Sequence, residues 1–115
     1  MGSGSIVVFG SLNMDIVSVA RRLPRPGETV PGSEFYTTPG GKGANQAVAC
    51  ARLGAYVQMV GHVGGDNLGR ELINSLESDS IGISGIDVVN TGKTGVAMIS
   101  VDDSGENTIV AVYGA

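Results

Sequence analysis

Cysteine, histidine, basic charge and long apolar runs are all scarce in this 115-residue chain, and each shortage closes off a class of function. The single cysteine, Cys50, has no partner for an internal disulfide, and together with the single histidine, His62, it falls short of the ligands a usual zinc site needs. Seven Lys and Arg stand against eleven Asp and Glu, a net charge of −4. Binding of nucleic acid or of an anionic membrane surface needs a positive field, so neither partner is expected. The local basic group Arg21, Arg22 and Arg25 reads as a solvated loop. No apolar stretch approaches the ~20 residues that span a bilayer. The start, Met1 to Ser5, is small and polar without the features of a signal peptide, and is read as a tag or disordered start in front of a domain over 6–115. The expected setting is cytoplasmic, with no structural metal.

The chain is 42% hydrophobic and long enough for one domain with a real core. Its nineteen glycines are dispersed between apolar segments, a pattern of tight turns with no internal repeat. "SIVVFG" predicts a buried strand of a parallel sheet. "MDIVSVARRLPRPGE" continues extended until Pro24, Pro26 and Gly27 impose a turn. Pro31-Gly32 in "ETVPGSEFYTT" predicts a hairpin at a sheet edge. A helix is expected from Gly43 to Leu53 with Gly54 as its left-handed cap, and a buried strand over 57–63 in which His62 is a structural imidazole. Asp66 is expected to cap a helix "NLGRELINSLES" whose Leu68, Leu72, Ile73 and Leu76 share one face, and Cys50 to pack in the core. "GIDVV", "TGVAMISVD" and "NTIVAVY" read as strands, the last two joined by the turn Asp102-Asp103-Ser104-Gly105. Two hairpins inserted near the ends of a βαβ core imply a small β-sheet set against an α/β body, with a cleft between them.

The densest signal is "PGGKGANQAVACARLGA", residues 39–55. It is not a Walker loop, because Tyr36 stands where the first glycine should be and Gly43 where Ser or Thr would hold magnesium. A dinucleotide fingerprint from Gly41 would require Gly or Ala at Gln46 and a strand directly before the loop. What remains suits a small polyol. Glycines let main-chain amides approach a ligand, a helix starting near Gly43 offers unpaired N–H groups, Lys42 adds a charge, and Asn45 carries both a donor and an acceptor. In "GSLNMDI", Asn13 and Asp15 alternate beyond the carboxyl end of the first strand and point the same way. A carboxylate there can accept hydrogen bonds from two hydroxyls.

The run Gly40-Gly41-Lys42-Gly43-Ala44-Asn45-Gln46-Ala47, followed by Gly54 and Gly64, resembles the first signature of the phosphofructokinase B family of sugar kinases. With "GSLNMD", "PGETV" and "TGVAMISVDDSGENTIV" the likeness covers about Ser5 to Ala115 and is closest to the family's ribokinase branch. The resemblance implies the N-terminal part of a ribokinase-like three-layer α/β/α, Rossmann-like fold, with a small β-sheet lid at about 15–38 and 95–113. It places Asn13, Asp15, Gly41, Lys42, Gly43 and Asn45 at sugar-binding positions for D-ribose or a similar small sugar, with fructose or a nucleoside as alternative acceptors. It also implies a homo-oligomer formed through lid strands or an exposed sheet edge, or pairing with a C-terminal kinase half. The family's Asp-Thr-x-Gly-Ala-Gly-Asp motif, which carries the catalytic base, does not occur here. MgATP and a monovalent cation such as potassium are therefore expected for a complete enzyme and not for this chain alone, which is expected to be inactive. A non-catalytic dimerisation or sugar-binding module is the rival reading.

Overall fold

The computed structural model describes residues 5–115, so most of the expected tag lies outside the described residues, while Ser5 already belongs to a strand. Two sheets form. The first is parallel, in the order β1 (Ser5–Phe9), β4 (Tyr56–Gly64), β5 (Gly82–Val89). The second has the order β3 (Gly32–Gly40), β2 (Asn13–Ala20), β6 (Gly95–Val101), β7 (Asn107–Val112). Its two antiparallel hairpins, β2–β3 and β6–β7, meet along a parallel seam between β2 and β6.

Helices α1 (Lys42–Arg52) and α2 (Asn67–Ser78) connect the strands of the first sheet and cover one face of it. The alternation in β4 decides which face. Val57, Met59 and Val63 point at the helices and are buried, and with Val8, Ala44, Ala47, Leu72, Leu76 and Ile86 they form the core. Leu72 and Leu76 are fully buried as expected, Leu68 and Ile73 lie half-buried at the margin, and Cys50 packs against the same cluster. Alanines at 44 and 47 let α1 lie close to the sheet.

The other face of the first sheet is bare among the described residues. Val7, Phe9 and Tyr56 are exposed there, Phe9 at 82%. The expected buried strand at "SIVVFG" is therefore buried on one side only: Val8 faces the helices and its neighbours face solvent. Of the three layers expected of an α/β/α fold, the sheet and one helical layer are present in these residues.

Helix α2 has the predicted bounds and cap. The Asp66 carboxylate accepts the Gly69 N–H at 2.9 Å. Gly54 has φ +94, as a left-handed helix end requires. The hairpin predicted at Pro31-Gly32 does not form. Pro31 instead precedes β3, Gly32 pairs with Ala20 across an irregularity at Val19/Ala20, and the turn is the whole segment 21–31. That segment is ordered by charge: Arg22 forks onto Glu28 at 2.6 and 2.8 Å, and the Arg25 N–H donates to the same carboxylate at 2.9 Å. The Arg22 guanidinium holds the Glu28 carboxyl down to about 2. β3 is an edge strand, as the proline signalled.

Asp66 also accepts from Thr94, both from its hydroxyl at 2.6 Å and from its backbone N–H at 2.9 Å. The hydrogen bonds from Thr94, then that from Gly69, hold the carboxyl below its ordinary pKa of 3.8. A depressed acid contributes stability that is full above its ordinary value and disappears as pH falls through the lowered one. Thermal melts from about pH 5 to about pH 2 should therefore show an acid loss that is smaller in Asp66→Asn than in the parent chain. Parallel curves would mean that the Asp66 charge adds nothing to the fold.

Candidate functional site

The chain leaves the first sheet at Phe9, crosses over Gly10–Leu12 into β2, and returns along β3 to Gly41, where α1 begins. The two crossings lie against each other. The Ala44 N–H donates to the Ser11 carbonyl at 3.1 Å. A Cβ on Gly43 would stand 2.7 Å from both the Gly10 carbonyl carbon and the Ser11 nitrogen, and one on Gly41, which has φ +96, 2.6 Å from the Ser11 carbonyl oxygen. Gly43 is thus a packing glycine beneath the site. It is buried and, unlike the other five expected residues, does not line the cavity.

Above this crossing lies a cavity of about 750 Å³ between the two sheets, a size suited to a small metabolite. Asn13, Asp15, Gly41, Lys42 and Asn45 all line it, so five of the six expected residues converge. Phe9 and His62 contribute from the first sheet, and Ile99, Ile109 and Tyr113 from the second. No side chain caps the first turn of α1 and no acidic residue lies in it, which leaves its positive end facing the cavity at Gly41.

Asn13 and Asp15 sit on one face of β2, each lying against a glycine of a neighbouring strand. Ideal Cβ atoms on Gly40 and Gly95 would come within 2.5 Å of the Asp15 and Asn13 side-chain oxygens, respectively. Gly40 and Gly95 also flank Asn13 directly in register. Missing Cβ atoms are what give the two polar side chains room on the sheet surface. Gly40 belongs to the glycine run, but its service to Asp15 depends on strand pairing that spacing alone does not display. Burial pushes the Asp15 carboxyl above its ordinary pKa. The ionised form is therefore held at a cost, which hydroxyl donors from a ligand would offset.

His62 departs from its expected burial. It shares a face with Tyr56 and Gln58, opposite to that of Val57, Met59 and Val63, and so it opens onto the cavity. Its Nε2 lies 3.5 Å from Oδ2 of Asp87, the residue beside it in register, with both side chains exposed. The alternation of "YVQMVGHV" carried the signal, since His62 is in phase with its polar and aromatic positions. Among the described residues no group of three or more His, Cys, Asp or Glu is placed to hold a metal ion.

Residues 3–115 match the description "pfkB family carbohydrate kinase". The chain belongs to the pfkB family of carbohydrate kinases. Among pfkB relatives, the ribokinase of Bacillus subtilis is 47% identical over 111 residues, which cover 96% of this chain and 38% of that protein. The structure of Giardia lamblia ribokinase superposes with a TM-score of 0.87 at 38% identity, over 98% of this chain and 34% of the other. That of Arabidopsis thaliana ribokinase, complexed with ribose and ATP, gives 0.83 at 36% identity, over 100% and 37%. The chain thus spans little more than a third of the relatives it matches, and within that third its fold is the ribokinase fold. No helix of the described residues is long and apolar enough to cross a membrane.

Proposed function

We propose that this chain is the sugar-binding and lid portion of an ATP-dependent ribokinase, the whole enzyme transferring the γ-phosphoryl group of ATP to the terminal hydroxyl of D-ribose. The observation that carries this reading is the convergence of the Asp15 carboxylate with Gly41 and Asn45 on one cavity between the sheets. Asp15 and Asn13 hold hydroxyls, the Gly41 backbone and Asn45 fix the ring, and Lys42 complements negative charge. The second sheet is the lid. Closing it removes water from around the transferring group and so favours transfer to sugar over hydrolysis.

In the transfer the sugar oxygen forms the new P–O bond as ADP leaves, and its proton passes to a base. Phosphoryl transfer rests on positioning and charge stabilisation, and the family's base and anion hole come with a motif this chain does not contain. MgATP and a monovalent cation would accordingly be bound by the remaining part of the enzyme, where magnesium neutralises phosphate charge. That part has a surface to pack on: the bare face of the first sheet, with Val7, Phe9 and Tyr56. Phe35, Met98, Val110 and Val112 are exposed on the side of the second sheet away from Asp15, where a second copy would pack.

Titration calorimetry with D-ribose and a coupled ATP-to-ribose assay test the two parts of this reading. The chain alone should bind ribose and show no turnover; adding the separately expressed remainder of a ribokinase should restore transfer. Absence of ribose heat would remove the sugar-binding role, and turnover by the chain alone would overturn the division of labour.

A further inference from the structure

Aromatic residues are scarce in this chain, two phenylalanines and three tyrosines with no tryptophan, yet Phe9 and Tyr113 both line the cavity. Their surroundings differ. Phe9 shares the bare face of the first sheet with Val7 and Tyr56, the surface on which the remainder of the enzyme would pack. Tyr113 belongs to neither that face nor the core. It is 88% exposed, so among the described residues nothing packs on its ring.

Strand pairing fixes where that ring stands. Ile109 and Ala111 of β7 face the cavity, and Tyr113 is next in phase with them. Val112 pairs with Val96, so one step further Tyr113 comes beside Gly95, which is itself the partner of Asn13. Asn13 and Tyr113 are thus two strands apart, about 10 Å, with a residue between them that has no side chain. The adjacent row has the same form: Asp15, Ala97 and Ala111 lie in register, and only methyl groups rise beyond the carboxylate. The outcome is a slot floored by small residues, polar along Asn13 and Asp15 and aromatic at Tyr113. The chain beyond the ring gives it a fixed base. The Ala115 N–H donates to the Lys93 carbonyl at 2.8 Å, and a Cβ on Gly114 would overlap that carbonyl oxygen and the Gly95 nitrogen.

We propose that Tyr113 is a specificity-determining residue, the apolar wall of this slot: a sugar ring stands with its hydroxyls toward Asn13 and Asp15 and its hydroxyl-free face against the tyrosine. The proposal rests on the sugar-binding reading above and adds the shape of sugar that fits. An aromatic face is apolar and carries partial negative charge, so it favours C–H groups. A hydroxyl pressed onto it gives up water without gaining an equal partner. In D-ribose the secondary ring hydroxyls lie on one face and leave C–H on the other. D-arabinose turns one of them, and D-xylose another, onto the face that Tyr113 would meet.

Calorimetry of the chain with D-ribose, D-arabinose and D-xylose tests this in the parent, Tyr113→Ala and Tyr113→Phe. The parent should prefer ribose. Tyr113→Ala should lose about two- to tenfold in ribose affinity and change little toward the other two sugars, so that the preference shrinks by the same factor. Tyr113→Phe, which keeps the ring, should match the parent in both respects. Tyr113 is exposed, so all three chains should melt together and no loss can be assigned to unfolding. Parent ribose affinity in Tyr113→Ala, an equal loss toward all three sugars, or the same loss in Tyr113→Phe would each overturn the assignment while leaving the sugar site standing. A parent chain that gives no heat with ribose would instead overturn the sugar-binding reading, and the Tyr113 assignment with it.

Discussion

Asp15→Ala is expected to weaken D-ribose binding about ten- to a hundred-fold, the loss of about 1.5–3 kcal/mol of charge-assisted hydrogen bonding. The unliganded protein should respond in the opposite sense. Burial raises the Asp15 pKa, so the charged carboxylate opposes folding at neutral pH, and Asp15→Asn, of nearly the same shape, should melt no lower than the parent. Calorimetry and thermal melts on the same preparations separate the two effects. An Asp15→Ala chain with parent affinity would remove the carboxylate from the sugar site, and an Asp15→Asn chain that melts well below the parent would show that the charge is satisfied within the fold.

A large stability effect is expected at Gly43. Its added methyl would meet backbone atoms of Gly10 and Ser11 at 2.7 Å, and backbone, unlike a side chain, has no other rotamer to adopt. Gly43→Ala should cost about 2–4 kcal/mol, lowering Tm by about 10–20 °C for a domain of this size. Gly54 is the control. It has φ +94 but open space around its Cα, so Gly54→Ala should cost only about 1–2 kcal/mol of backbone strain. Equal losses at the two positions would mean that the chain crossing is not what requires Gly43.

Features written in local chemistry were legible in the sequence. The Asp66 cap, the bounds of α2, the glycine end of α1 and the turn at Asp102–Gly105 depend on residues within a few positions of one another. So did the convergence of Asn13, Asp15, Gly41, Lys42 and Asn45 on one cavity, because two short motifs carry them. What depends on pairing was not legible. The β2–β3 hairpin turns over the long segment 21–31 because Gly32 finds its partner in Ala20, a register the Pro31-Gly32 dipeptide does not encode. The glycine run looked like a cradle for a ligand. Gly43 serves the chain's own crossing and Gly40 makes room for Asp15, and neither neighbour is near in sequence. His62 shows the same limit, since an apolar run does not reveal that only one face of its sheet is covered.

The parallel seam of the second sheet has a kinetic consequence. Each hairpin can close locally, over segments 21–31 and 102–106, but pairing β2 with β6 must close the far longer stretch that holds α1, β4, α2 and β5, with Asn13 brought opposite Gly95. The half of the cavity that this seam supplies therefore rests on the longest loop closure in the second sheet and is expected to assemble late.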